Sequence, residues 1–351
     1  MDTATVAQLA EFREVIDVRS SAEFALDHVP GAINCPVLDN EERARIGALY
    51  MQGSPFAAKK AGAALVAANI ARHLESRFVD RAEDWRPLVY CWRGGQRSAA
   101  ITHVLRAIGW DARQLVGGYR AYRRAVREEL QSLPAQFRWI VLRGVTGAGK
   151  SRLLSALNAV GEQILDLERL AAHRGSLLGG WPREAQPTQK LFESRIWNAL
   201  RALDPQRGVY VEAESRKIGK LQVPPALIER MWRSECFCLE TPLAARVSLL
   251  KREYAHYLTS PETLKAALES LVSLHGRRTV NRWHELIEGG AWDELVTELL
   301  TQHYDPAYRR SIAQHYVREG RVLRVGSADD AGFIQLAVEL RTSFAEPRSF
   351  S

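Results

Sequence analysis

Cys91 is followed by Trp92, Arg93, Gly94, Gly95, Gln96, Arg97 and Ser98, and the run is entered from the apolar residues Leu88-Val89-Tyr90. A cysteine at a strand end, a glycine pair that lets main-chain amides turn inward, and Arg-Ser where a helix should begin together make a cradle for an anion. In such a cradle the thiol loses its proton more readily, and the thiolate is the form that attacks or carries an anionic group. A second run, Gly144-Val145-Thr146-Gly147-Ala148-Gly149-Lys150-Ser151, is entered from Trp139-Ile140-Val141-Leu142. Its spacing, Gly-x4-Gly-Lys-Ser, is that of a P-loop. The glycines let main-chain amides surround a di- or triphosphate, Lys150 adds a positive charge, and the Ser151 hydroxyl can ligate magnesium. One chain thus joins thiol group-transfer chemistry to phosphate recognition.

Positioning these loops takes strands that end where the loops begin. Val15 to Val18 reads as a short strand, Ser21 onward as a helical turn, and His28-Val29-Pro30-Gly31-Ala32-Ile33-Asn34 as a turn followed by a strand. Pro55 to Phe78 is alanine-rich with helical spacing of its apolar residues, Leu88 to Tyr90 is a strand, Arg97 to Ala107 a helix, and Gln114 to Val116 a strand stopped by Gly117-Gly118. Strands alternating with helices imply a parallel α/β sheet, whose ligands bind beyond the carboxyl ends of its strands. Pro134, within Gln131 to Gln136, marks a boundary. Beyond it a second α/β unit is expected, with strands at Trp139–Leu142, Gln163–Leu165, Val209–Val211 and Phe237–Leu239 and the P-loop helix at Ser151–Asn158. From Ala244 to Tyr316 helical periodicity prevails. The expected domains are residues 1–133 and 137–351, in keeping with a chain of 351 residues.

Composition narrows the setting. Hydrophobic content of 46% with 25% charged residues is that of a globular protein, and no apolar run of membrane-spanning length occurs. The N-terminus lacks a basic-then-apolar leader, so a cytoplasmic protein with no membrane partner is expected. Four cysteines, Cys35, Cys91, Cys236 and Cys238, are too few and scattered for a disulfide framework; Cys236 and Cys238, flanking Phe237 in an apolar stretch, read as buried structural residues. A net charge of +7 leans toward an anionic partner. Two stretches interleave basic and aromatic residues as RNA-contacting surfaces do: Tyr119-Arg120-Ala121-Tyr122-Arg123-Arg124 with Arg127, and His275-Gly276-Arg277-Arg278 with Arg282, Trp283 and His284. Both also fit solvated helix faces with buried aromatic anchors.

The motifs Asp17-Val18-Arg19, Glu23-Phe24, His28 to Asn34, the Cys91 loop and Gly117-Gly118-Tyr119 resemble a rhodanese domain. With the P-loop added, and with Glu41-Glu42-Arg43, Asp166-Leu167-Glu168, His173-Arg174-Gly175-Ser176 and Glu212-Ala213-Glu214-Ser215, nearly the whole chain resembles the tRNA 2-selenouridine synthase family. The resemblance implies a rhodanese-like parallel-sheet domain followed by a P-loop NTPase-like α/β domain with a helical C-terminal part. It implies a transferase that replaces sulfur with selenium at C2 of a wobble 2-thiouridine in tRNA, with selenophosphate as donor. It further implies an S-geranyl-2-thiouridine intermediate made from geranyl diphosphate. Cys91 would carry selenium as a selenylated cysteine with release of phosphate, and geranyl diphosphate would occupy Gly144, Thr146, Gly147, Gly149, Lys150 and Ser151. No tightly bound cofactor is expected. A magnesium ion shared with the diphosphate has Ser151, Asp166, Glu212 and Glu214 as candidate ligands, though Asp166 with Glu168 also reads as a helix N-terminal acid pair, and Glu212 with Glu214 as a salt-bridged strand end. The prenyl chain has Trp181, Phe192, Trp197, Trp232, Tyr254 and Tyr257 as candidate contacts, each of which also reads as ordinary core.

Three other readings compete. Cys91 and Arg97 have the Cys-x5-Arg spacing of rhodanese-fold phosphatases, and a loop of this length admits a tetrahedral anion; a phosphatase, however, has no use for a P-loop. A kinase or NTPase with a rhodanese sensor module would use Lys150 on ATP, but no strand-terminal Walker B aspartate is evident in the sequence. A non-catalytic tRNA-binding scaffold would leave an activated cysteine without purpose.

Overall fold

The computed structural model describes residues 3–316 and 320–345. It divides into two units, one of residues 1–130 with 187–198, the other of residues 131–186 with 199–351. The division expected from sequence placed everything after residue 137 in the second domain. The chain instead sends the segment Pro187–Asn198 back to the first unit. Its apolar side explains why: Trp197 packs edge-on against Tyr122 at 5.5 Å and donates its indole N–H to Glu129 at 2.9 Å.

The first unit is built on a five-stranded parallel sheet of β1 (Thr3–Ala4), β2 (Glu14–Asp17), β3 (Ile33–Asn34), β4 (Pro87–Tyr90) and β5 (Arg113–Leu115), in the order β1-β5-β4-β2-β3. All four residues of the central strand β4 are buried, as a strand covered on both faces requires. Between β3 and β4 stand two helices, Asn40–Gln52 and Pro55–Ser76. The second is capped by Ser54 and has Pro55 in its first turn, where a missing N–H costs nothing. A buried ion pair ties the loops to the sheet. Arg19 binds Asp17 at 2.6 Å, donates to the Asp27 carbonyl at 2.6 Å and lies 4.0 Å over the Tyr119 ring, while Tyr119 donates to the Asp27 carboxylate at 2.8 Å. The Asp17-Val18-Arg19 motif is therefore a structural clamp, because a buried arginine needs all of these partners.

The second unit has strands β6 (Arg138–Arg143), β7 (Gln163–Leu165), β8 (Gly208–Glu212), β11 (Glu235–Glu240) and β12 (Arg321–Arg324), parallel throughout, in the order β12-β11-β6-β8-β7. A small antiparallel ribbon, β9 (Lys217–Ile218) with β10 (Leu221–Gln222), follows β8. The P-loop strand β6 is central, and the helix Lys150–Ala159 packs Leu153 and Leu157 into a core with Ile140, Leu142, Phe237 and Phe333. Helices from Leu243 to His315 enclose a second apolar cluster that includes Leu264, Leu268, Trp283, Leu286, Leu295 and Leu299. The sequence reading missed β1, β9, β10 and β12. The first three are two-residue strands, and β12 has only one half-buried position, so none carries an apolar alternation.

Candidate functional sites

Cys91 follows β4 directly and is 3% exposed. Its sulfur accepts hydrogen bonds from the Gly95 amide at 3.3 Å and the Ser98 hydroxyl at 3.1 Å. Gln114, on β5, donates to Ser98 Oγ at 2.7 Å and to the Gly95 carbonyl at 3.1 Å. The Ser98 hydroxyl has two acceptors, the Cys91 sulfur and the Gly95 carbonyl at 3.2 Å, and a charged thiolate is the stronger of the two. Burial acts to raise the Cys91 thiol, but the Ser98 hydroxyl and the amides of Ser98, Gly95 and Arg93 outweigh it, so the pKa falls below that of an ordinary thiol. Cys35, buried without such donors, is pushed the other way to about 11. Gln114 had no motif to mark it, being brought to the site by strand order alone.

Of the glycine pair, Gly94 is the one the loop requires, while Gly95 caps the following helix in extended conformation. Gly94 sits at φ +65°, and a Cβ there would lie 2.7 Å from the Leu115 carbonyl oxygen. Trp92 is 37% exposed and stacks on Tyr119 at 5.2 Å, while Arg93 and Gln96 face solvent. Arg97 turns to Glu23 at 3.2 Å, a carboxylate shared with Arg43. Backbone amides and one serine, rather than the Arg97 guanidinium, hold the thiolate, since Arg97 is already ion-paired.

In the second unit the P-loop leaves β6 and enters the helix at Lys150, with Gly147 at φ +76° and Gly149 at φ +90°. Lys150 Nζ donates to the Gly144 carbonyl at 2.8 Å and lies over the Tyr308 ring, whose hydroxyl accepts from the Gly144 amide at 2.7 Å. Thr146 shows its carbonyl to buried Arg246 at 2.9 Å, and Arg246 grips Asp305 with bonds of 3.0 and 2.6 Å. That pair braces the loop from behind and was not legible in sequence. The cavity over the loop is lined by Thr146, Gly147, Gly149, Lys150, Ser151 and, across it, Arg174.

Three carboxylates meet beside the loop. One oxygen each of Glu168, Glu212 and Glu214 lies within 4.8 Å of the others, and Ser151 donates to Glu168 at 3.3 Å. Glu212 ends β8, the strand next to the P-loop strand, is 0% exposed, and neither of its carboxylate oxygens has a hydrogen-bond partner. Burial, then the charge of Glu214, pushes Glu168 up to about 8; burial, then Glu212, pushes Glu214 up to about 8. Burial, with Glu168 and Asp166 adding their charges, holds Glu212 well above the usual carboxylate range. Of the acids expected to share a magnesium ion, Glu212 and Glu214 stand in the cluster, Glu212 at the strand terminus. Asp166 lies outside the cluster, its carboxylate capping the helix Leu167–Ala171 through the Arg169 amide at 2.7 Å, and Glu168 stands in the place expected of it.

The remaining candidates separate by unit and burial. Phe192 and Trp197 are buried in the first unit, and Trp181, beside Arg169, lines with Ser151, Glu168 and Arg174 a pocket adjoining the P-loop. Tyr254 lines that cavity, and with Tyr257 it also lines an adjoining apolar chamber. Of the basic stretches, Arg120, Arg124 and Arg127 are exposed on the helix Gly118–Ser132, whereas Arg123 pairs with Glu193. In the other stretch Arg277 pairs with Glu269 and Arg282 with Glu294 and Glu298, and Trp283 is core. No helix among the described residues is long and apolar enough to cross a membrane.

A rhodanese-like thiol cradle on one parallel sheet and a P-loop with facing carboxylates on another define a two-domain group-transfer enzyme. Residues 2–125 match the rhodanese-like domain and residues 137–275 the tRNA 2-selenouridine synthase AAA domain. The chain is 33% identical over 276 residues to the tRNA 2-selenouridine synthase of Nitrosomonas europaea, covering 76% of this chain and 71% of that one. It is 31% identical over 349 residues to that of Marinobacter nauticus, covering 90% and 92%, and 38% identical over 253 residues to that of Cupriavidus necator, covering 70% and 66%. The chain belongs to the tRNA 2-selenouridine synthase family, and is a tRNA-modifying transferase.

Proposed function

We propose that the protein replaces sulfur with selenium at C2 of wobble 2-thiouridine in tRNA, in two steps. In the first, the thiocarbonyl sulfur attacks C1 of geranyl diphosphate, the C–O bond breaks, diphosphate leaves and the base gives up its N3 proton to solvent. Alkylated sulfur is a far better leaving group than a thiocarbonyl sulfur, so the second step becomes possible: selenium attacks C2 and geranyl thiol departs. The observation that carries this reading is the serine-supported Cys91 thiolate on a chain that also holds a P-loop.

Cys91 is the selenium carrier in this scheme. Selenium in selenophosphate is already at the selenide level, so loading it on sulfur as Cys–S–Se⁻ needs a disulfide oxidant. Thiolate, hydrogen selenophosphate, water and a disulfide give the perselenide, phosphate and two thiols. After attack on C2 those two thiols reduce the S–Se bond, freeing selenouridine and Cys91 and restoring the disulfide. The couple turns over without net consumption.

The diphosphate of geranyl diphosphate lies on the amides of Gly144 to Ser151, with Lys150 and Arg174 as the cationic contacts. Glu168, Glu212, Glu214 and Ser151 suit a magnesium ion, since Glu212 is buried with both oxygens unpartnered. When bound, the ion offsets charge on the leaving diphosphate. Arg120, Arg124 and Arg127 recur at i, i+4 and i+7 along one helix face and suit the tRNA backbone. The test is to incubate the protein with 2-thiouridine tRNA and geranyl diphosphate, with and without selenophosphate and a dithiol–disulfide buffer, and to weigh the nucleosides. Geranylated nucleoside without selenophosphate and selenouridine with it are expected; unchanged nucleoside in both tubes overturns the reading.

A further inference from the structure

Three planar groups pack in series beside the Cys91 loop. The buried Arg19 guanidinium lies 4.0 Å from the centre of the Tyr119 ring. Tyr119, itself buried, stacks on Trp92 with ring centres 5.2 Å apart and planes 28° from parallel. Trp92 is 37% exposed, so the series opens to solvent at the residue next to Cys91. We propose that Trp92 is the platform on which the wobble base of the tRNA stacks when it meets Cys91. The inference rests on the reading of the exposed arginines of the helix Gly118–Ser132 as contacts to the tRNA backbone.

The indole is held before any ligand arrives. Its inner neighbour Tyr119 is fixed by a hydrogen bond to the Asp27 carboxylate at 2.8 Å, and the carbonyls of Cys91 and Trp92 accept the amides of Tyr119 and Arg120 at 2.8 and 3.0 Å. A platform ordered in advance gives up little freedom when a base covers it. Its π-face accepts any base, which suits an unpaired nucleotide turned out of the anticodon loop. A base stacked there stands one residue from the sulfur that carries selenium. Charge is placed to match: Arg93 follows Trp92, Arg120 follows Tyr119, both are exposed, and Arg124 and Arg127 continue the basic face along the helix. An aromatic platform set among exposed arginines is the arrangement that grips single-stranded RNA. Gly95 and Gln96, exposed on the same loop, add no apolar area that would extend the indole into a protein-binding patch.

The test measures binding of the full chain to two labelled anticodon stem-loop RNAs, one with 2-thiouridine at the wobble position and one abasic there. Trp92→Phe keeps a ring, whereas Trp92→Leu keeps apolar bulk against Tyr119 without a π-face; both are checked for native melting and Cys91 alkylation. The expected result is that Trp92→Leu binds the base-bearing RNA about tenfold more weakly, within the range for one lost base–aromatic stack, and that Trp92→Phe loses much less. The abasic RNA should bind all three proteins equally, and the unaltered protein should hold it about tenfold less tightly than the base-bearing RNA. Equal binding of the two RNAs by the unaltered protein overturns the platform whatever the variants do, as does a loss in Trp92→Leu that is the same for both RNAs; either leaves the arginine-face reading standing. Binding of neither RNA by the unaltered protein overturns that reading and the platform with it.

Discussion

The Ser98 hydroxyl stands 3.1 Å from Cys91 Sγ and receives the Gln114 amide at 2.7 Å, so a neutral relay holds the thiolate. Burial alone would raise this thiol, as it raises Cys35. Ser98→Ala removes the side-chain donor and leaves the amides. The expected outcome is an alkylation pH profile for Cys91 shifted upward and a rate at neutral pH roughly tenfold lower, about 1.4 kcal/mol. Gln114→Leu is expected to shift the profile the same way by less. An unmoved profile in Ser98→Ala would assign the lowered pKa to the amides alone.

The loop also depends on Gly118. Its φ is +55°, and a Cβ there would lie 2.3 Å from the Cys91 carbonyl oxygen and 2.4 Å from the Gly94 nitrogen, both backbone atoms that cannot turn aside. Gly118→Ala is expected to destabilise the first unit by about 1–3 kcal/mol through strain and to open the loop that Tyr119 and Arg120 hold through their amides at 2.8 and 3.0 Å. Thermal melting and Cys91 alkylation are the measurements; native values of both would show that the loop absorbs a methyl group.

Both anion loops were legible because their glycines, cysteine and lysine are contiguous and strand ends carry them. What sequence could not supply comes from non-local packing. Gln114 reaches Ser98 because β5 pairs with β4 across a helical crossover, and Glu212 reaches the P-loop because β8 pairs with β6, with β7 between them in the chain. Nor could periodicity separate Asp166 from Glu168, two acids at the start of one short helix. Capping occupies the first and leaves the second to the cavity. The return of Pro187–Asn198 to the first unit has the same origin, for nothing local distinguishes its buried tryptophan from one in a core of its own.

The two chemistries are expected to separate by mutation. Cys91→Ser should abolish selenation while leaving geranylation of 2-thiouridine tRNA largely intact, because the thiol carries only selenium. Lys150→Ala should weaken geranyl diphosphate use by about 1–3 kcal/mol, the range for a charge-assisted contact. Nucleoside mass analysis after single-turnover incubation reads both. Equal loss of both products in Cys91→Ser would overturn the division of labour.

Arg120, Arg124 and Arg127 are exposed on one helix face. The triple change to Ala is expected to weaken tRNA binding and to flatten its dependence on log salt, by about 1 for each phosphate that an arginine no longer neutralises. Filter binding across a salt series measures this. A lower affinity with an unchanged slope would mean that these residues act through folding.

The carboxylates beside the P-loop set a pH-dependent test of cation binding. Glu168 and Glu214 are raised to about 8, so between the unfolded carboxyl range and about 8 the folded chain holds protons that the unfolded chain has released. Stability therefore falls as pH rises through that window, as the charges of Glu168 and Glu214 develop. A magnesium ion takes the place of those protons and so stabilises more as they leave. The expected melting shift on adding magnesium is small at about pH 6 and several degrees at about pH 8.5. Glu212→Gln should abolish most of the magnesium shift. A shift equal at both pH values, or retained in Glu212→Gln, would place the ion on the loop and its phosphates without these glutamates.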